Sequence, residues 1–213
     1  MYVYMENYGE LKEQIIFYGR RLASSGMVTG TGGNISFFTR EKGLFLITPS
    51  GMPYDKLEIC DIVTLNLDGN TVDGRRNPSV ERELHRLIYL SRSDVSAVVH
   101  THSIYASAVA VTRNGIPPIL SEMAALFGGP IKVADYAGAG TIELARNVVE
   151  TLGKSRGVLM ANHGATAVGV NLEEAFGNSE VIENCAKIYI FSRIAGEPRP
   201  LSKGELLGEQ RHI

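Results

Sequence analysis

The chain has 213 residues, of which 44% are hydrophobic and 21% are charged, and its formal net charge is −2. This length fits one large domain or two small ones, with enough material for a substantial core. No basic run favours a nucleic-acid partner, no apolar run is long enough to span a membrane, and the N-terminus has no signal-peptide pattern. We therefore expect a cytoplasmic protein that binds neither nucleic acid nor membrane.

The first third of the chain is predicted to form a helix followed by short strands. Apolar residues recur at helical spacing over residues 8–25. Short apolar runs then predict strands at 35–39, 43–48 and 62–67. The first two strands are separated only by a short polar turn, which predicts that they form an antiparallel pair.

Two turns rich in glycine and hydroxyl groups flank these strands. Three glycines lie within residues 30–33, before the first strand, and residues 48–51 follow the second. Glycines let the backbone approach a ligand and expose its amides, as in turns that bind phosphate. A flexible turn before a strand is an equal alternative, because the pattern matches neither of the common nucleotide-binding fingerprints.

Helices and strands alternate in the rest of the chain. The predicted helices cover 80–91, 103–112, 141–152 and 172–194, and the predicted strands cover 95–100, 131–134, 157–161 and 166–170. Hairpins and helix-separated strands together predict one α/β domain with a mixed or antiparallel sheet. Ser79 is a predicted helix cap. Glu81, in the first turn of that helix, either complements the helix dipole or acts as an acid/base carboxylate.

Three histidines follow apolar runs of strand length. His100 and His102 are two residues apart, so on an extended strand both side chains project from one face. His163 follows a second apolar run. Three His ligands with an open position are typical of a catalytic zinc site. The alternative is that all three are ordinary polar residues at strand ends; we favour the metal site, in which the fold must bring His163 to the pair.

Five short motifs in this order and at these spacings resemble the class II aldolase/adducin head family. They are Gly30-Thr31-Gly32-Gly33-Asn34-Ile35-Ser36, Thr48-Pro49-Ser50-Gly51, Pro78-Ser79-Val80-Glu81, His100-Thr101-His102 and Asn162-His163-Gly164. The resemblance covers about residues 8–200. It implies a single domain over 1–213, an α/β/α sandwich around a mainly antiparallel sheet. It also implies a homotetramer with the active site near a subunit interface.

The resemblance also implies which residues bind the metal and the substrate. The metal, usually zinc, is held by residues matching His100, His102 and His163. A carboxylate matching Glu81 ligates the empty metal and acts as the acid/base when substrate displaces it. The expected phosphate-binding residues are Gly33, Asn34, Ser50, Gly51 and Ser79. Three His with a carboxylate also suit manganese or cobalt.

Two positions depart from the aldolase pattern. Val80 occupies the position beside Ser79 at which a second hydroxyl residue is expected. The Tyr expected as proton donor to the aldehyde half is absent; the matching position is about Ser121, with Glu122 beside it. A Glu-Met pair here resembles the methylthioribulose-1-phosphate dehydratase branch, which lacks the carboxylate that matches Glu81. We hypothesise that Glu122 performs the missing proton transfer from a buried position near Met123. A solvated or capping Glu at a helix start is nearly as good an interpretation.

The resemblance favours a metal-dependent aldolase that cleaves a deoxyketose 1-phosphate, such as L-fuculose 1-phosphate, through a zinc-bound enediolate. The products are dihydroxyacetone phosphate and an aldehyde. Two alternatives on the same fold are a dehydratase and a ribulose-5-phosphate 4-epimerase. A third is a non-enzymatic module like the adducin head, but such a module has no chemical need for the three His and Glu81.

Overall fold

One eight-stranded sheet organises the protein in the computed structural model, which describes residues 6–209. The strands are Asn34–Thr39 (β1), Leu44–Ile47 (β2), Val63–Asn66 (β3), Thr71–Asp73 (β4), Ala97–Thr101 (β5), Val133–Ala134 (β6), Gly157–Met160 (β7) and Gly164–Gly169 (β8). Their order across the sheet is β4-β3-β2-β1-β5-β8-β7-β6. Every neighbouring pair is antiparallel except β6 with β7. The predicted mainly antiparallel sheet is confirmed.

Helices cover both faces of this sheet. They are Glu6–Ser24 (α1), Arg82–Ser91 (α2), Ile104–Ala110 (α3), Ser121–Phe127 (α4), Ile142–Leu152 (α5), Leu172–Ala195 (α6) and Lys203–Glu209 (α7). Helices α2 and α5 pack on one face, and α1, α3, α4 and α6 contribute to the clusters on the other. The α/β/α sandwich is therefore confirmed. None of the helices among residues 6–209 is both long enough and apolar enough to cross a membrane.

Side-chain alternation along β5 divides the core between these faces. Ala97 and Val99 pack against α1 and α6, whereas Val98 packs in the cluster that includes α2 and α5. Since residues two apart share a face, His100 continues the side of Val98. The side chain of His100 is thus directed toward the helix that follows Glu81.

Several local predictions need correction. Leu90, an apolar residue of α2, is 53% exposed, because the polar His85 and Tyr89 lie on the buried face of this helix. Strand β4 and helices α4 and α7 were not predicted, since short elements carry little periodic signal. Helix α2 begins at Arg82, so Glu81 lies at its N-cap position and not in its first turn. The predicted domain spans 1–213, and its ends, 1–5 and 210–213, lie outside the described residues.

Candidate active site

Strand β5 delivers the first histidine to the site. His100 is fully buried, and its Nδ1 lies 2.9 Å from the carbonyl oxygen of Ala165 on the neighbouring strand β8. A carbonyl only accepts hydrogen bonds, so Nδ1 carries the proton and donates it. In the neutral ring the lone pair of Nε2 is therefore directed at the other site residues. This is the usual arrangement of a metal-binding imidazole, oriented by a backbone carbonyl.

The glycine-rich turn packs directly against the histidine strand. A Cβ added to Gly32 would lie 2.8 Å from Nδ1 of His102, and one added to Gly33 would lie 2.6 Å from the carbonyl oxygen of His100. Gly33 also has a φ of +70°, in the left-handed region that favours glycine. These glycines are thus required for close approach to the two histidines, whether or not their amides also bind an anion.

A tight turn between β7 and β8 supplies the third histidine. The backbone N–H of His163 donates to the carbonyl of Met160 over 3.0 Å, and Asn162 adopts a left-handed φ of 56° that Asn tolerates well. The guanidinium of Arg113 donates to the side-chain oxygen of Asn162 over 3.3 Å. The sheet therefore brings His163 to the pair, as the metal-site hypothesis requires, with ring centroids 4.9 Å from both His100 and His102.

Glu81 completes the cluster from the start of α2. Its Oε2 lies 3.1 Å from Nε2 of His100, and its Oε1 lies 3.4 Å from Nε2 of His163. Oε2 also accepts a hydrogen bond from the amide nitrogen of Asn34 over 2.9 Å. Oε1 is buried and has no hydrogen-bond partner. A buried carboxylate oxygen without a partner is costly, which indicates that a ligand completes its surroundings.

The donor set fits a divalent cation. One ligand atom from each of Glu81, His100, His102 and His163 lies within 4.8 Å of the others, and Nε2 of His100 is 2.9 Å from Nε2 of His102. These are lone-pair atoms directed at one another and at a carboxylate, so a cation between them satisfies all of them. Nitrogen and oxygen ligands of this kind suit zinc and also other transition metals.

Electrostatics within the cluster follow from burial and proximity. Burial alone raises the pKa of Glu81, but His100, His163 and the Asn34 hydrogen bond outweigh it and hold the pKa well below its usual range. Burial, with His100 and His163, lowers the pKa of His102 to about 4. Burial lowers the pKa of His100, but the charge of Glu81 outweighs it and raises the pKa overall. The carboxylate is thus ionised at neutral pH and attracts a positive charge.

The turns predicted to bind phosphate converge beside this cluster. The backbone N–H of Ser79 donates to the carbonyl of Thr48, and the N–H of Ser50 donates to the carbonyl of Asn77, over 3.1 and 3.0 Å. The N–H of Ile35 donates to the hydroxyl of Thr48 over 3.2 Å. The structure therefore brings together the three segments that carry Gly33, Asn34, Ser50, Gly51 and Ser79. Phosphate binding by these residues stays a prediction.

Glu122 is not among the described residues that the structure brings to the cluster. It is exposed on α4 and lines a surface groove with residues of α6 that include Asn178 and Val181. The predicted burial of Glu122 is wrong for this chain, because Met123 and Phe127 turn to the core side of α4 and leave Glu122 on the outer side. A proton-transfer role for Glu122 within its own chain gains no support from its position.

Sequence reasoning missed one group of buried polar residues next to Glu81. His85, Ser36 and Tyr89 are buried and hydrogen-bonded to one another, and His85 also contacts Asn34. The detectable signal was the spacing of Glu81, His85 and Tyr89 at four-residue intervals, which places all three on one helix face. Leu84 and Ile88 on the adjoining face obscured it.

Comparisons with known proteins agree with this geometry. Residues 13–190 match the family described as Class II Aldolase and Adducin N-terminal domain. The chain belongs to this family. It is 43% identical to 5-deoxy-D-ribulose 1-phosphate aldolase of Bacillus thuringiensis serovar kurstaki over 195 residues, covering 92% of this chain and 91% of the relative. It is 32% identical to an L-ribulose-5-phosphate 4-epimerase of Salmonella typhi, over 86% of each chain.

A solved structure shows the same likeness in three dimensions. The structure of an L-fuculose 1-phosphate aldolase superposes with a TM-score of 0.93 at 40% sequence identity, covering 95% of each chain. The relative with 43% identity and this structural neighbour are both named as aldolases, and the chain is accordingly an enzyme, a lyase of the class II aldolase type. The comparisons include both aldolases and an epimerase, so the reaction on a particular sugar requires a separate argument.

Proposed function

We propose that this enzyme cleaves a deoxyketose 1-phosphate, of the 5-deoxyribulose or fuculose type, into dihydroxyacetone phosphate and an aldehyde. The observation that supports this most is the buried cluster of Glu81 with His100, His102 and His163, in which three imidazoles and one displaceable carboxylate converge. The relative with 43% identity is named for a 5-deoxyketose 1-phosphate, and the structural neighbour for fuculose 1-phosphate.

Within this proposal, the histidines hold a divalent cation, for which zinc is our first choice and manganese or cobalt the alternatives. When bound, the cation supplies Lewis-acid polarisation of the substrate carbonyl and stabilises the negative charge that develops on cleavage. The neutral imidazoles leave the full charge of the cation available. Glu81 moves the proton at the carbon of the dihydroxyacetone phosphate half, from a largely dry position that suits proton transfer.

The phosphate of the substrate binds, in the same proposal, where the three turns converge. The amide nitrogen of Asn34 has two N–H groups, and only one is engaged by Glu81. The second N–H, the hydroxyls of Ser50 and Ser79, and the backbone of Gly33 and Gly51 are the candidate donors. Such donors bind an anion without a basic side chain.

A homotetramer in the cytoplasm is also part of the proposal. Exposed apolar side chains on α3 and α6, among them Ile104, Phe191 and Ile194, are the kind of surface that subunit contacts cover. Glu122 remains a candidate for proton transfer only where such a contact brings it to a neighbouring site. Light scattering should give four times the chain mass; a monomer would contradict this assembly and that role for Glu122.

The test of the proposed reaction is a substrate panel monitored by NMR. Protein loaded with zinc, manganese or cobalt is given 5-deoxyribulose 1-phosphate, fuculose 1-phosphate and ribulose 5-phosphate of each stereochemistry. We expect dihydroxyacetone phosphate and an aldehyde from a ketose 1-phosphate. An epimer without cleavage, or loss of water without cleavage, would contradict the aldolase and identify the epimerase or dehydratase reaction.

A further inference from the structure

A chain of buried polar side chains leads from Glu81 into the apolar core between α2 and β1. Glu81, His85 and Tyr89 lie at four-residue intervals on one face of the helix segment, and Asn34 and Ser36 lie two residues apart on β1. Four residues of helix advance about 6 Å and two residues of strand advance about 6.8 Å. The two rows therefore match in spacing and interdigitate, alternating between helix and strand.

Consecutive members of this chain are in hydrogen-bond contact. The amide nitrogen of Asn34 lies 2.9 Å from Oε2 of Glu81, and its amide oxygen lies 2.5 Å from Nε2 of His85. On the other side of the imidazole ring, Nδ1 of His85 is 2.6 Å from the hydroxyl of Ser36. The hydroxyl of Ser36 is in turn 2.5 Å from that of Tyr89. The five side chains form one unbranched sequence of contacts.

The direction of every hydrogen bond follows from the first. An ionised carboxylate only accepts, so Asn34 must present its NH₂ group to Glu81 and its oxygen to His85. Nε2 of His85 must then carry the proton. Full burial lowers the pKa of His85 to about 3, so the ring is neutral and Nδ1 accepts from Ser36. Tyr89 completes the order by donating to Ser36.

The polar composition of this buried row of side chains indicates a role beyond packing. All five side chains are buried, and apolar side chains at these positions would join α2 to β1 without desolvating polar groups. The sequence of bonds ends at only one functional group, the carboxylate of Glu81. If His85 were apolar, the amide oxygen of Asn34 would be buried without a donor, and the amide would no longer be held in place against the carboxylate.

We propose that His85 is a positioning residue for Glu81. By donating from Nε2 to the oxygen of Asn34, it fixes the amide with its NH₂ group toward the carboxylate, and so holds Glu81 in the orientation needed beside the cation and the substrate. This inference rests on the proposed function, because it assigns the orientation of the acid/base of that reaction. It gives Asn34 a second task, besides the predicted phosphate contact.

The test compares three single variants with the wild-type chain. His85→Leu removes the donor at similar size, whereas His85→Gln places an amide N–H near the position of Nε2. Ile88→Val, on the same helix and in the apolar cluster, is the control for lost packing. Affinity for zinc alone is measured by competition with a chromophoric chelator, together with kcat, KM and Tm.

We expect His85→Leu to weaken zinc binding and to lower kcat by roughly 10–100-fold each, the usual effect of losing a residue that orients a metal ligand, with KM nearly unchanged. His85→Gln should recover most of both losses. Ile88→Val should lower Tm and leave zinc affinity and kcat at wild-type values. Wild-type zinc affinity and kcat in His85→Leu, with only Tm lowered, would overturn the proposal.

If His85→Leu does not fold, Ser36→Ala tests the same chain from its other side. Without the Ser36 hydroxyl, Nδ1 of His85 loses the donor that holds the ring in place on that side. A several-fold loss of zinc affinity and kcat is expected, and wild-type values would overturn the proposal. A wild-type protein that neither binds zinc nor cleaves any ketose 1-phosphate would contradict the proposed function instead. The two failures are therefore distinguishable.

Discussion

The surroundings of Glu81 favour a chemical role for this residue over a purely structural one. Its carboxylate is buried at the N-cap of α2, where a side chain that merely complements the helix dipole would lie in contact with water. It instead contacts Asn34, His100 and His163. The helix-dipole interpretation, which the sequence left open, explains neither these contacts nor the buried oxygen without a partner.

Replacement of Glu81 separates the two interpretations. Glu81→Gln should retain the fold, because Gln is of similar size and its oxygen can still accept from Asn34. It should still take up one ion on the three histidines, with weaker affinity. Turnover should fall by about 10²–10⁴-fold, the usual contribution of a positioned acid/base. The measurements are kcat, metal content and Tm on the same preparation. Lower thermal stability with unchanged turnover would instead support the helix-dipole interpretation.

Residue-level prediction from the sequence succeeded where spacing has a simple geometric meaning. His100 and His102 were paired because residues two apart on a strand share a face, and the structure places their ring centroids 4.8 Å apart. His163 was named as the third candidate from its place after an apolar run, but its proximity to the pair could not be predicted, since nothing local shows that β8 lies beside β5. His85 was missed because its four-residue spacing from Glu81 and Tyr89 is a weak signal beside the apolar pattern of the same helix, and its strand partners were unknown.

At the scale of elements, the loop between β4 and α2 is the one that we predict to determine how tightly the site binds the substrate phosphate. Bonds between residues 48–50 and 77–79 fix this loop against the one that follows β2. Val80 extends from it with 57% of its surface exposed, at the position where the family pattern has a second hydroxyl. A hydroxyl there requires no repacking of the core.

Val80→Ser should therefore tighten substrate and inorganic phosphate binding by the ~0.5–1.5 kcal/mol of one net hydrogen bond. The matched control is Val72→Ser on β4, since Val72 is similarly exposed at 56% and is not among the predicted phosphate-binding residues or beside them in sequence. KM for the substrate and the inhibition constant of phosphate are the measurements. Equal values for wild type, Val80→Ser and Val72→Ser would show that the anion binds elsewhere or that the substrate carries none.

Elements with strong periodicity were predicted to within a few residues, whereas the short elements β4, α4 and α7 were not predicted. Helices α5 and α6 have clear caps at Thr141 and Asn171, whose side chains accept from the backbone N–H three residues later. Helix α4 has seven residues and no such side-chain cap, and its packing against the rest of the fold forms it. The position of Glu122 was misjudged for the same reason.

For the whole molecule, a bound metal should link the start of α2 to three strands of the central sheet. Its predicted ligands come from the N-cap of α2, from β5 with the residue after it, and from the turn between β7 and β8. A ligand that binds only the folded state stabilises it by about 2.7 kcal/mol when its free concentration is 100 times Kd. That energy corresponds to an increase in Tm of roughly 5–11 °C for a chain of this size.

Removal of the metal should consequently lower Tm by roughly 5–11 °C, and re-addition of the metal should restore it. The measurement is thermal unfolding of protein treated with a chelator, before and after zinc is returned. His100→Ala combined with His102→Ala provides the control, because its Tm should not respond to zinc. His212→Ala, a histidine outside every predicted ligand set, should respond as the wild type does. A zinc response that persists in the double variant would place the metal elsewhere.

The most direct test of the account is a titration of metal-free protein with zinc, manganese or cobalt while release of dihydroxyacetone phosphate from a ketose 1-phosphate is measured. We predict that cleavage is absent without metal, rises linearly with added metal and saturates at one ion per chain. Glu81→Gln should bind the same single ion and remain nearly inactive. Cleavage that is unaffected by metal removal, or metal binding at one per chain without any cleavage of the substrate panel, would contradict the account.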